Sequence, residues 1–156
     1  DMDCIYQPTK IPTFDGVKIK QVSAWTQSAA VSIHDEAYVW GLSVAGDITT
    51  PQQVELPNPI VQAECGGRFV ALRTTDGAIY AFGPEYYKES RVGDSLLTKK
   101  APKRILASDA VGMSIGGKFG VAYRPWNESD DAPFAVDPEV LAMIRDNSKE
   151  ESPERT

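Results

Sequence analysis

One histidine and two cysteines are all that 156 residues offer of the side chains that most often ligate metals or act as nucleophiles and bases. No C-x-x-C pair occurs, which removes the common zinc and redox signatures. His34 stands beside Asp35 and Glu36 in a stretch that reads as a turn, with no Ser or Cys nucleophile in a recognisable setting. We therefore expect no catalytic residues, no cofactor and no metal. Cys4 and Cys65, 61 residues apart, are too sparse for a disulfide-stapled secreted scaffold. Both are expected as free thiols in a reducing, intracellular compartment, cytoplasmic or nuclear. Long apolar runs are missing too: none approaches the roughly 20 residues that a membrane-spanning helix needs. No basic segment leads into an apolar one near Asp1, so no signal peptide is expected. Asp1 in place of Met sets the expectation of a piece of a longer polypeptide. A basic surplus is absent as well. Residues 1–126 balance 13 acidic against 13 basic side chains, while 127–156 hold nine acidic and three basic ones, the whole of the −6 net charge. Nucleic acid, which needs clustered Lys and Arg, is disfavoured as a partner.

What is present is repetition. Cys65-Gly66-Gly67-Arg68-Phe69 followed by Asp76-Gly77-Ala78-Ile79-Tyr80-Ala81-Phe82-Gly83 has an earlier copy, Ser23-Ala24-Trp25-Thr26-Gln27 followed by Asp35 and Tyr38-Val39-Trp40-Gly41. A later, truncated copy is Ile115-Gly116-Gly117-Lys118-Phe119-Gly120-Val121-Ala122-Tyr123. Aligning Ala24, Gly66 and Gly116 gives steps of 42 and 50 residues. A second marker keeps nearly the same beat: Pro8-x-x-Ile11, Pro51-x-x-Val54 and Pro102-x-x-Ile105. Self-similarity at such a period signals units that bury their apolar faces against one another. The Pro marker divides residues 1–126 into units of about 8–50, 51–101 and 102–126.

Within each unit the period is that of strands. Val17 to Val22 alternates apolar and polar, and Ala29–Ile33 and Ala37–Trp40 flank a turn at His34–Glu36. Unit two repeats this with Ile60–Ala63, Phe69–Leu72, a turn at Thr75–Gly77 and Ile79–Phe82. Asp76-Gly77 between β-rich runs predicts a hairpin with Gly at positive φ. Asp35-Glu36 in its place predicts a different turn. Gly66 and Gly116 predict either a crowded corner or positive φ. Trp40 and Phe82 share one repeat position, which predicts core between adjacent units. Trp25, at the corner without glycine, caps its unit or lies in an exposed groove.

Two segments stand out as candidate partner-binding elements. The connector Pro84–Ala101 holds Tyr86, Tyr87, Arg91 and Asp94 and lengthens the second step, and repeat proteins often carry such insertions on their binding face. Beyond the repeats, 127–136 reads as an acidic linker. Asp137-Pro138-Glu139 then predicts an N-cap, Pro at the first helical position and an acidic first turn. That helix, 137–146, presents Val140, Leu141 and Ile144 as one apolar stripe and is too short to stand alone. Residues 147–156 are polar and expected to be disordered.

The combination P-x-x-[IV], a strand ending in Gly-Gly, and Asp-Gly-x-hydrophobic-Tyr-x-aromatic-Gly resembles the regulator of chromosome condensation (RCC1-like) repeat. Unit two carries it best, from Pro51 through Gly66, Asp76 and Gly77 to Phe82 and Gly83. Unit one keeps Pro8, Trp40 and Gly41, and unit three keeps Pro102 and Gly116. The resemblance covers roughly residues 8–124 and implies an all-β fold, a partial β-propeller of four-stranded antiparallel blades. About two and a half blades of a seven-bladed ring are present, too few to close. It further implies a non-enzymatic protein–protein interaction scaffold, completed by a partner chain, by further copies or by the rest of its parent. The alternative it implies is nucleotide exchange on a Ran-like or other small GTPase.

Overall fold

The computed structural model describes residues 7–41, 48–67, 69–82, 102–106, 108–117 and 120–125, with Ile48 and Phe82 described in their backbone alone. Tyr86, Tyr87, Arg91 and Asp94, the helix with Val140, Leu141 and Ile144, the tail, Cys4 and Gly83 lie outside the described residues.

The strand-forming stretches fold as their period dictates. A first antiparallel sheet runs in order β1 (Ile19–Ala24), β2 (Gln27–Ser32), β3 (Ala37–Gly41), β4 (Ile48–Val54). A second repeats that order with β5 (Ile60–Cys65), β6 (Val70–Thr74), β7 (Ile79–Phe82) and β8 (Lys103–Leu106). β9 (Gly112–Ile115) and β10 (Gly120–Tyr123) pair as the start of a third. A 3-10 turn at Pro12–Phe14 precedes β1.

The sheets stack face to face. Ala29, Val31, Ala37 and Val39 of the first meet Ile60, Ala63, Cys65, Val70 and Leu72 of the second. On the reverse of the second, Phe69, Ala71, Ile79, Ala81 and Leu106 meet Ala110 and Met113. β6 is buried on both sides over Val70-Ala71-Leu72, which is why it opens on an apolar run rather than an alternation. Alanines 29, 37 and 63 line the first joint, and Ala71, Ala81 and Ala110 the second.

Three expectations are corrected. First, the sheets are one strand out of phase with the Pro-to-Pro units. Pro51, buried, lies in β4 and so ends the first sheet, while Pro102 lies just before β8, which ends the second. Pro8, at the matching place, is exposed and precedes the 3-10 turn. Second, the turn at Asp35 is the same turn as the one at Gly77. Asp35 sits at φ +63 and Gly77 at φ +79. The Ser32 N–H donates to the Glu36 carbonyl at 2.9 Å just as the Thr74 N–H donates to that of Ala78 at 3.0 Å. Asp35, not Glu36, holds glycine's place, because aspartate tolerates the left-handed region. Third, Trp25 rather than Ala24 occupies the corner of Gly66. The Trp25 N–H donates to the Gln27 carbonyl, and the Gly66 N–H donates to that of Phe69, both at 2.7 Å. The first corner is one residue shorter, which the 42-residue alignment hid.

Of the two causes entertained for the corner glycines, the steric one holds at Gly66. A Cβ there would lie 2.8 Å from the Gly116 carbonyl oxygen and 2.8 Å from the Ile115 side chain, with no positive φ involved. Trp40 does not pack between the described sheets. It is half-buried and meets Phe14 at 5.5 Å between ring centroids, while Tyr38 meets the same ring at 5.3 Å. The 3-10 segment thereby covers the outer half of the first sheet's free face.

Candidate interaction surface

The innermost strands β1, β5 and β9 lie side by side, and their polar side chains reach across the joints. Gln21 Nε2 donates to the Ala63 carbonyl at 3.1 Å while its Oε1 accepts from the Ala63 N–H at 3.0 Å. Ser23 Oγ accepts from the Cys65 N–H at 2.9 Å. At the next joint Gln62 Nε2 donates to the Met113 carbonyl at 2.8 Å, its Oε1 being taken by Arg73 Nε at 3.0 Å. The cause is the antiparallel register, which leaves alternate backbone groups of an edge strand unpaired. A buried edge must find partners for them. A primary amide with donor and acceptor side by side acts as a substitute strand.

The joints are fixed at a second point. The Ile60 N–H donates to the Asp35 carbonyl at 2.8 Å, and the Ala110 N–H to the Gly77 carbonyl at 3.1 Å. At the corners Thr26 Oγ1 donates to the Gly67 carbonyl at 3.2 Å, and the Gly67 N–H to the Gly117 carbonyl at 3.0 Å. Cys65 is buried, and desolvation pushes its thiol up to about 11, against a smaller lowering by its contact with Ser23, so it is a packing residue rather than a reactive one.

The two ends of the stack are different in kind from its joints. Val22 on β1 is 71% exposed and Trp25 at its corner 67%. At the far end Val121 is 61% and Tyr123 60% exposed. Trp25 thus takes the exposed of its two expected places. Isolated apolar side chains at a surface are ordinary, but here they sit on sheet faces whose counterparts are sealed.

A cleft of about 430 Å³ lies between the His34–Glu36 turn and the connector after β4, lined also by Glu55, Leu56 and Asn58. His34 is exposed at its rim, as its turn position predicts. Ser32 Oγ donates to the Glu36 carboxylate at 3.1 Å, and burial, helped by that carboxylate, raises the Tyr38 hydroxyl pKa. Among the described residues no group of three metal-ligating side chains forms. Asp76 shapes the second turn: its carboxylate accepts from Thr74 Oγ1 at 2.5 Å and from Asn58 Nδ2 at 2.9 Å. These bonds, Thr74's first, hold its carboxyl below the usual range. A depressed folded-state pKa contributes stability that is present above the unfolded value, about 4, and is lost as pH falls through the folded one. Asp76→Asn should therefore flatten the acid limb of a plot of Tm against pH below about pH 4, leaving its slope at neutral pH unchanged.

Sequence reasoning named Trp25 and the repeat glycines but not Gln21, Ser23 or Gln62. Their polar chemistry reads as that of solvated side chains, although Gln21 and Ser23 share the parity of Val17 and Ile19. The signal that could have found the two glutamines is their recurrence at one place of β1 and β5, 41 residues apart.

These geometries define an all-β partial β-propeller whose blades are four-stranded antiparallel sheets. Solved propellers are similar to it. Prp20p of Saccharomyces cerevisiae, described with its binding to Gsp1p and histones, matches with a TM-score of 0.52 and 15% identity, over 86% of this chain and 35% of that one. The complex of Kap60 with yeast RCC1 (Prp20) gives 0.51 and 16%, over 68% and 30%. Human WBSCR16 gives 0.44 and 21%, over 60% and 26%. The chain thus spans 26 to 35% of the length of these solved chains. No protein-family model and no curated protein matches it. Among the described residues no helix is long and apolar enough to cross a membrane.

Proposed function

We propose that this chain is a non-enzymatic protein–protein interaction scaffold, one portion of an RCC1-like propeller completed by another chain or by the rest of its parent protein. The observation that carries this is the contrast between joints and ends: both joints are closed by apolar packing and amide clamps, while Val22 on the end strand is 71% exposed. A propeller needs at least about four blades to close. An open stack leaves strand edges that invite pairing. An intracellular setting, cytoplasmic or nuclear, fits the buried free thiol at Cys65. Trp25, the connector residues Tyr86, Tyr87, Arg91 and Asp94 and the stripe Val140, Leu141 and Ile144 remain our candidates for contact with partners.

The test is the native mass of the purified chain by light scattering, with identification of whatever accompanies it. We expect a stoichiometric complex or self-association. A monodisperse monomer of 17.0 kDa, stable without company, would overturn the reading. Nucleotide exchange on a small GTPase is the second reading, supported by the fold shared with Prp20p, whose structure is described with binding to Gsp1p. Acceleration of labelled-GDP release by the assembled protein would establish it, and an unchanged rate across a panel of small GTPases would remove it.

A further inference from the structure

We propose that the inner edge of β1 is a docking site for one strand of a partner blade, a strand bearing a glutamine-type amide and, two residues further on, a serine-type hydroxyl. This rests on the scaffold reading above and names the recognition device.

The two joints supply the template. In each, one backbone position of the following inner strand receives an amide from the preceding one: Ala63 from Gln21, and Met113 from Gln62. Register identifies the same position in β1. Ala63 stands opposite Leu72, Met113 opposite Ala122, and Val22 opposite Ala30. The phase of the ladder follows from the Trp25 N–H bond to Gln27. Counting back, Ser23 and Ala29 form a bonded pair, while Ala24 with Ser28 and Val22 with Ala30 form unbonded ones. The N–H and C=O of Val22 and the N–H of Ala24 therefore point off the sheet edge, as those of Ala63 and Cys65 do. Among the described residues nothing bonds to them. Phe14 shields only the outer half of this face, over Tyr38 and Trp40.

The far end of a second copy does not fit this edge. Gly112, opposite Tyr123, holds the place of Gln21 and Gln62 and has no amide to offer. The Tyr123 ring lies directly over it, where a Cβ would collide. Ser114 alone survives as the counterpart of Ser23. Joining copies head to tail would thus leave the Val22 groups without their clamp, and an unpaired buried backbone group costs about as much as a lost hydrogen bond. The occupant is a different blade, with small aliphatic residues behind its inner strand as Ala29, Val31 and Ala37 provide here.

The test uses the full chain and a synthetic peptide copying residues 19–32, with amide exchange followed by NMR. In the free protein, Val22 and Ala24 should exchange at least tenfold faster than Ala63 and Cys65. Adding the peptide should slow Val22 and Ala24 at least tenfold. A peptide carrying Q21A should protect them at least tenfold less at equal concentration. Val22→Pro in the protein should abolish the protection at Ala24 while leaving the β1–β2 ladder intact, since the N–H it removes lies outside the ladder. Equal protection by both peptides, or none by either, would overturn the docking device and leave the scaffold reading standing. Val22 and Ala24 as slow as Ala63 and Cys65 in a protein that light scattering shows to be monomeric would overturn the scaffold reading itself.

Discussion

Gly77→Val should cost about 2–5 kcal/mol, a large share of the 5–15 kcal/mol that holds a typical domain together. Two independent effects add at this residue. Its φ of +79 lies where a side chain is disfavoured by about 1–2 kcal/mol, more for a β-branched one. Any Cβ would also lie 2.6 Å from the Asp109 nitrogen and 2.7 Å from that of Ala110, because the chain entering β9 crosses there. Backbone rather than a flexible side chain is in the way, so relief requires the third sheet to move off and break the Ala110 bond to the Gly77 carbonyl. Urea unfolding followed by circular dichroism measures the loss. The control is the matching residue of the first sheet: Asp35→Gly should be neutral to about 1 kcal/mol stabilising, since glycine prefers that conformation and the ion pair lost with Lys20 is partly exposed. A Gly77→Val protein with an unchanged urea midpoint would contradict the crossing geometry.

Leu72→Ala should be comparably severe. Leu72 is fully buried on β6, between Ala63 and Cys65 of its own sheet and the valines of the sheet before it. Truncating a buried leucine costs about 2–5 kcal/mol, and the upper part of that range applies where the walls cannot relax inward. Here they are hydrogen-bonded sheets clamped by Gln21, so little collapse is expected. At roughly 2–4 °C per kcal/mol for a chain of this length, Tm should fall by about 4–20 °C. Leu72→Met, which conserves volume, should cost less than about 1.5 kcal/mol. If the alanine variant melts within a degree or two of the original, the first joint is not the packed interface described above.

The strands and the Asp76-Gly77 turn were legible in the sequence because their signals are local: a period of two, and a residue pair suited to positive φ. Phase was not legible. A repeating marker reports the interval between copies and is silent on where the fold cuts them, so Pro51 read as the beginning of a unit although it lies in the strand that ends one. The first corner misled for a related reason. One missing residue between Ala24 and Gln27 shifts only β1 relative to the rest, and matching Ala24 to Gly66 absorbed the shift without trace. The clamp residues were hidden by their chemistry, since a glutamine on the face of Val17 and Ile19 reads as a break in the apolar pattern until a second backbone is known to lie beside it. Trp25 was visible as an odd residue at a glycine position, and it is exposed. The connector and tail residues Tyr86, Leu141 and their neighbours rest on sequence alone.

The bonds from Ile60 to Asp35 and from Ala110 to Gly77 bear on how such an architecture tolerates genetic change. The pitch from one sector to the next is set by a peptide group reaching a turn carbonyl a few ångströms away, whatever length of chain was traversed in between. Eighteen residues from Pro84 to Ala101 follow Phe82 and Gly83 where nine, Leu42 to Thr50, follow Trp40 and Gly41, yet both sectors deliver the next inner strand to the same anchor. Duplication, insertion and loss can therefore act on the connecting segments while the spacing between sectors stays constant.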